Sequence, residues 1–175
     1  INLLFRTSSE ANTLLFHTDK QYAQRSLETC ISEVRRLENI FSLFDKNSAI
    51  SNLNKYGVLE NPPKELVEVL NFAHKISENT NGAFDVSVQP LWLAHDKAFK
   101  NKANNKNLSK YIKTASKLVS YKNIIINAKE IRFKKKDMKI TLNGIAQGFI
   151  TDSITNILKQ RGFKNVLIDL GEINS

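Results

Sequence analysis

Between Leu27 and Phe44 an apolar residue returns every three or four positions: Leu27, Cys30 with Ile31, Val34, Leu37, Phe41 and Phe44. That period predicts one long helix with a single apolar face, and Asp19 stands where its cap would be. Arg25, Glu28, Glu33, Arg35 and Arg36 fall mostly on the other faces. Such a stripe needs a layer to lie on, and the short β-branched runs elsewhere in the chain are the candidates.

The rest of the chain reads as mixed helix and strand. "NTLLFHT", from Asn12 to Thr18, predicts a short strand. "DKNSAISNLNKYG" is a polar turn with a short helical piece, in which Ser48 and Asn54 suit capping better than ligand binding. Pro62-Pro63 opens a second helix, since proline is at home in the first helical position. Leu66, Val69, Leu70, Ala73 and Ile76 give its buried stripe, and Asn81-Gly82 ends it. "GAFDVSVQPLW" is expected to be extended and broken by Pro90, with Trp92 in the core. Residues 95–117 are expected to form a mobile, lysine-rich surface segment with a helix near 108–118. "KNIIINAKEIRFK" predicts a hairpin turning at Ala128-Lys129, followed by a third strand over 138–142. A helix over 144–161 buries Ile145, Phe149, Ile154, Ile157 and Leu158 and stops at Gly162. "NVLIDLG" closes the series as a buried strand. The order predicts a single α/β domain over 1–175, mixed α+β, with helices packed on a mixed β-sheet and no internal repeat.

Composition narrows the function classes. No apolar run approaches the ~20 residues of a membrane span, and a single cysteine, Cys30, excludes an internal disulfide. Cys30 sits on the apolar face of the first helix, where it reads as filler rather than a reactive thiol. The net charge is +9, with a pI near 9.6, a balance suited to anionic partners. Residues 97–139 carry 13 lysines and one arginine against Glu130 and Asp137. Few aromatics are interleaved with them, as platforms for single-stranded nucleic acid would require; the stretch reads as a solvated face. His17, His74 and His95 have no metal-ligand spacing, and no nucleophile with a flanking histidine and carboxylate stands out. The chain opens with Ile1 rather than Met and ends just after a strand, so a longer natural protein is expected.

"KITLNGIAQGFITD" carries the strongest chemical signal. A strand stops at Asn143-Gly144 and a helix begins, with Gly148 in its first turn. Glycine costs a helix about 1 kcal/mol relative to alanine, so a ligand approaching the backbone is one candidate reason for it. The first amides of a helix have no partner within it and, with the dipole, favour an anion such as phosphate. Gln147 adds a neutral donor. The spacing is not that of the dinucleotide-binding fingerprint. In "GAFDVSV", Asp85 lies in an apolar stretch, where a carboxylate is expected at an element's end or paired. These residues alone reach an α/β domain with a candidate phosphate site.

Four motifs in order take the reading further: "FSLFDKNSAISNLN", "ISENTNGAFDVSVQPLW", "ITLNGIAQGFITD" and "GFKNVLIDLGEI". Together, over residues about 31–174, they resemble the FAD:protein FMN transferases, the ApbE family, formerly called thiamine biosynthesis lipoproteins. "IAQG" and "DLGEI" look more like the NosX-like branch. The resemblance implies the amino-terminal part of the ApbE-like fold. It also implies an exported, periplasmic enzyme, held to a membrane only through a lipid anchor that this chain does not carry. The implied reaction uses Mg²⁺, cleaves FAD, transfers FMN to a Ser or Thr of a target flavoprotein (a NosR-like one among the possibilities) and releases AMP. No nucleic-acid partner is expected.

Residue by residue, the resemblance implies an aromatic beside the flavin nucleotide at Phe44. It implies a second FAD-contacting stretch at Ala83, Phe84 and Asp85, with Asp85 accepting from adenine or ribose groups. Thr141 replaces a frequent Asp, and Gln147 a frequent Lys or Glu, both at FAD-binding positions. Gly144 stands where a backbone carbonyl binds the metal. No catalytic residue is assigned, because the target hydroxyl would be the nucleophile. The family's carboxylate and threonine metal ligands lie in a part that follows these motifs, so the 175 residues are expected to be incompetent for transfer alone. Two other readings stand beside this one: a flavin-binding carrier without transferase activity, and a polyanion-binding basic domain.

Overall fold

The computed structural model describes residues 12–15, 19–100, 105–164 and 166–169. In chain order the elements are β1 (Asn12–Leu15), α1 (Lys20–Phe41), α2 (Ala49–Tyr56), β2 (Val58–Glu60), α3 (Lys64–Asn79), α4 (Gln89–Lys100), α5 (Asn105–Ser116), β3 (Ile124–Ile126), β4 (Glu130–Phe133), α6 (Ala146–Gln160) and β5 (Val166–Asp169). Short 3₁₀ turns at Val86–Val88 and Tyr121–Asn123 precede α4 and β3. The class is the expected mixture of helix and strand. The described strands, however, form two antiparallel sheets, β1-β5 and β2-β4-β3, rather than one mixed sheet. None of the described helices is long and apolar enough to cross a membrane.

The chain divides into two compact units. One takes the described residues up to Glu38 and those from Ile145 on; the other is Asn39–Gly144. The first is thus built from the two ends of the sequence. In it β1 pairs antiparallel with β5, from Asn12 opposite Asp169 to Leu15 opposite Val166. Asp19 caps α1 as expected, its Oδ1 accepting from the Tyr22 N–H at 3.0 Å. The stripe of α1 (Ala23, Leu27, Cys30, Val34) packs with Ile154, Leu158 and Phe163 into one buried cluster. Tyr22 stacks on Phe163 with ring centroids 5.8 Å apart. The stripe ends sooner than its period suggested: the helix stops at Phe41, and Phe44 lies beyond it with 87% of its surface exposed.

In the second unit the hairpin forms as predicted. Ile124 pairs with Phe133 and Ile126 with Ile131, and β2 adds to the other edge of β4 with Leu59 opposite Ile131. Ser48 caps α2 by accepting from the Ser51 N–H at 3.1 Å, and Gly57 ends that helix at φ 75°, a left-handed angle that glycine adopts without strain. Leu66, Val69, Leu70 and Ala73 of α3 are buried as expected, whereas Ile76 is only half-buried.

Two stretches differ from expectation. "GAFDVSVQPLW" is not extended: it holds the 3₁₀ turn and the start of α4. Pro90 lies in the first turn of α4, where an N–H has no intrahelical partner to lose, so it starts the helix instead of breaking a strand. The inward face of α4 is small, made by Pro90, Ala94 and Ala98. Trp92 therefore points away from the core and is 69% exposed. The lysine-rich region is largely helical: α4 and α5 pack on each other, and Lys97, Lys100, Lys110, Lys113 and Lys117 are exposed. The third strand over 138–142 is absent. Met138, Ile140 and Leu142 do alternate inward, with 1%, 0% and 1% exposure, but they pair with no strand among the described residues.

Candidate functional site

The Ala83-Phe84-Asp85 stretch is placed by the end of α3. Asn81 and Gly82 take left-handed angles, φ 51° and 83°, and the Gly82 N–H reaches back to the Ser77 carbonyl at 2.7 Å. This is the bond that closes many helices at their carboxy-terminal end. The Ala83 N–H then donates to the Thr80 carbonyl, and the Phe84 N–H to Thr80 Oγ1. The turn is tied down backbone group by backbone group, and Ala83 is left exposed.

Asp85 opens the 3₁₀ turn. Its Oδ1 accepts from the Ser87 N–H at 2.8 Å and the Ser87 hydroxyl at 2.6 Å; its Oδ2 accepts from the Tyr121 N–H at 2.9 Å. Ser87 is fully buried, and its oxygen also accepts from the Ser120 N–H at 2.7 Å. The expectation that this carboxylate stands at an element's end and is paired is met by two backbone N–H groups and the Ser87 hydroxyl rather than by a cation. Asp85 joins the 83–88 turn to the chain entering β3, so a ligand would use only its remaining lone pairs. Ser87 and the Ser120-Tyr121 amides are partners that the sequence reading missed. The one signal for them was an Asp two residues before a Ser, the spacing of a side chain bonding its own turn.

Thr141 reaches the same place from the other direction. Its N–H donates to the Val86 carbonyl at 2.8 Å, and its Oγ1 accepts from the Asn143 N–H at 3.3 Å. Gly144 follows, exposed; a Cβ built on it would lie 3.5 Å from Phe84 Cε2, an ordinary contact. Ala83, Phe84 and Asp85 on one segment and Thr141 and Gly144 on another therefore lie side by side in the second unit. Phe44 belongs to the same unit, its N–H donating to Ser42 Oγ and its ring in solvent. Gln147 belongs to the first unit, exposed in the first turn of α6. No side chain caps that helix at Ile145, and a Cβ on Gly148 would meet nothing within 4 Å. Neither close packing nor a left-handed angle requires glycine at 148.

Among the described residues no three His, Cys, Asp or Glu side chains come together to hold a metal. The Gly144 carbonyl would be one oxygen of the six that Mg²⁺ takes, so these residues do not by themselves make a metal site. Cys30 is inert filler: burial pushes its thiol up to about 11, against a smaller downward pull from Arg161. The basic surface concentrates elsewhere in the second unit, where Lys55, Arg132, Lys135, Lys136, Lys139 and Tyr56 help line an open groove of about 450 Å³.

The fold and the turn define a mixed α/β protein with an exposed glycine turn braced by buried polar groups. The sequence profile of the ApbE family matches residues 7–174, and the chain belongs to that family. It is 29% identical over 140 residues to a FAD:protein FMN transferase of Buchnera aphidicola subsp. Schizaphis graminum (strain Sg), covering 77% of this chain and 41% of the relative. The fold is similar to that of the flavinyl transferase ApbE of Pseudomonas stutzeri in its apo form, at a TM-score of 0.80 and 17% identity, over 93% of this chain and 55% of that one. It is similar also to the ApbE protein of Thermotoga maritima, at a TM-score of 0.75 and 22% identity, over 94% and 54%. The chain thus spans about half the length of these relatives, or less.

Proposed function

We propose that this chain is the FAD-binding part of an FAD:protein FMN transferase. Membership of the ApbE family over nearly the whole chain carries the reading, and the neighbouring segments of Ala83, Phe84 and Asp85 and of Thr141 and Gly144 are where the flavin nucleotide would lie. In the complete reaction a Ser or Thr hydroxyl of a target flavoprotein attacks the FMN phosphorus of FAD. The new P–O ester forms as the pyrophosphate P–O bond to AMP breaks, and the hydroxyl proton is released. This chain's part is to bind and orient: in the second unit the braced turn offers the Phe84 ring edge beside Gly144. Phe44, an exposed aromatic, suits contact with a flat ring. Mg²⁺ belongs to the reading through the family alone, and the Gly144 carbonyl is the ligand that the resemblance implies for it. The NosX-like assignment, a NosR-like target and a periplasmic location belong to the same proposal.

The test is a titration of the 175-residue chain with FAD, with and without Mg²⁺, followed by flavin fluorescence. Saturable binding with altered fluorescence is expected, and no release of AMP. If neither this chain nor the longer natural protein binds FAD, the reading fails. If the longer protein binds FAD and never releases AMP in the presence of an acceptor, it is a carrier instead.

A further inference from the structure

We infer that Asn54 is a positioning residue for the glycine turn: its carboxamide takes the place of a neighbouring strand and fixes the backbone that leads to Thr141 and Gly144. The inference rests on the flavin reading above for its functional half. Its structural half stands on geometry alone.

Ile140 is fully buried, so its N–H and C=O have no water to turn to, and each needs a partner. Asn54 supplies both. Its Oδ1 accepts from the Ile140 N–H at 2.7 Å, and its Nδ2 donates to the Ile140 carbonyl at 2.9 Å. One residue of an antiparallel strand makes the same pair of bonds to the residue opposite. The orientation of the amide is fixed by its partners, because a flipped carboxamide would set donor against donor and acceptor against acceptor. The clamp is itself secured, since Lys139 Nζ donates to the Asn54 carbonyl at 3.2 Å. At the next residue the Thr141 N–H bonds the Val86 carbonyl. Two successive residues are thus anchored to two different elements, α2 and the 3₁₀ turn. Gly144 follows three residues later, facing Phe84.

The chemistry is specific to asparagine. Aspartate would keep the acceptor and lose the donor, turning a second lone pair toward the Ile140 carbonyl. Alanine would lose both. Glutamine would carry the amide one methylene too far. Asn54 lies within α2, six residues after the cap, so it does not cap the helix as its residue type suggested; Ser48 does that.

The experiment compares the wild-type chain with Asn54→Ala, Asn54→Asp and a control, Asn52→Ala. Asn52 is on the same helix and donates to the Asn47 carbonyl instead. FAD affinity is read by flavin fluorescence well below the melting temperature, and amide hydrogen exchange is read in the absence of flavin. The expected result is a loss of FAD affinity of about tenfold or more in both Asn54 variants and none in Asn52→Ala. Exchange should quicken at residues 140–144 of Asn54→Ala while the amides of the β3–β4 hairpin keep their protection. Unchanged exchange at Ile140 and Thr141 would overturn the clamp, whatever the flavin does. Quickened exchange with wild-type FAD affinity would overturn its role in binding, and so would a loss of protection spread equally over the hairpin. A wild-type chain that binds no FAD, with exchange still quickened at 140–144, would overturn the flavin reading and leave the clamp.

Discussion

Strand β4 and the stretch from Met138 to Leu142 have the same alternating pattern and opposite outcomes. Both alternate apolar residues inward, and both bury an isoleucine completely, Ile131 in one and Ile140 in the other. Ile131 sits in a ladder between β2 and β3. Ile140 pairs with no strand among the described residues, and its backbone is satisfied by the side chain of Asn54. The lesson is that period-two alternation reports which face is buried, not what completes the backbone hydrogen bonds. A side-chain amide can do the work of a strand for one residue, and it fixes position there without propagating a sheet.

The comparison can be broken at its apolar half first. Ile131→Ala and Ile140→Ala should each cost about 2–5 kcal/mol of stability, measured by urea denaturation. Both sites are equally buried, so a cost at Ile140 far below that at Ile131 would mean that the unladdered stretch is not packed like its counterpart. The polar half sharpens the contrast. Asn54→Ala should cost about 1–3 kcal/mol, because it strands buried backbone groups. Asn127→Ala in the hairpin turn should cost under about 1 kcal/mol, because water can replace its Oδ1 at the exposed Lys129 and Glu130 amides. Equal costs would remove the distinction between the two regions. The smallest effect has the opposite sign. Gly148→Ala, in a helical turn with open space around the missing Cβ, should raise stability by about 0.5–1 kcal/mol. If the same variant loses FAD affinity, the glycine serves the ligand rather than the helix.

Much of this fold was legible because the signals were local. The stripes of α1 and α3, the caps at Asp19 and Ser48 and the hairpin turn all depend on residues within a few positions of one another; of the expected α6 stripe Ile154 and Leu158 are buried, whereas Ile145, Phe149 and Ile157 are half-buried. The misreadings have two causes, a local rule that fits two elements and a partner far away in sequence. Pro90 and Trp92 suggested a broken strand and a core aromatic. The small face of α4 buries Pro90, Ala94 and Ala98 and leaves Trp92 outside. Nothing near residue 140 announces that Asn54 will complete it. The residues of the candidate site are named through family resemblance. What Asp85 touches was not legible, because Ser87 is two positions away but Tyr121 is thirty-six.

The first unit takes its residues from both ends of the chain, with the whole of the second unit threaded between them. This sets an order of events at synthesis. When α1 leaves the ribosome, Ile154, Leu158 and Phe163, which cover its stripe, have not yet been made. At ~5–20 residues per second, the stripe waits on the order of ten seconds for its native cover. The second unit, contiguous in sequence, meets no such delay. The nascent chain therefore carries an uncovered apolar helix for as long as the second unit is being made, and a chaperone that holds such helices would find it there.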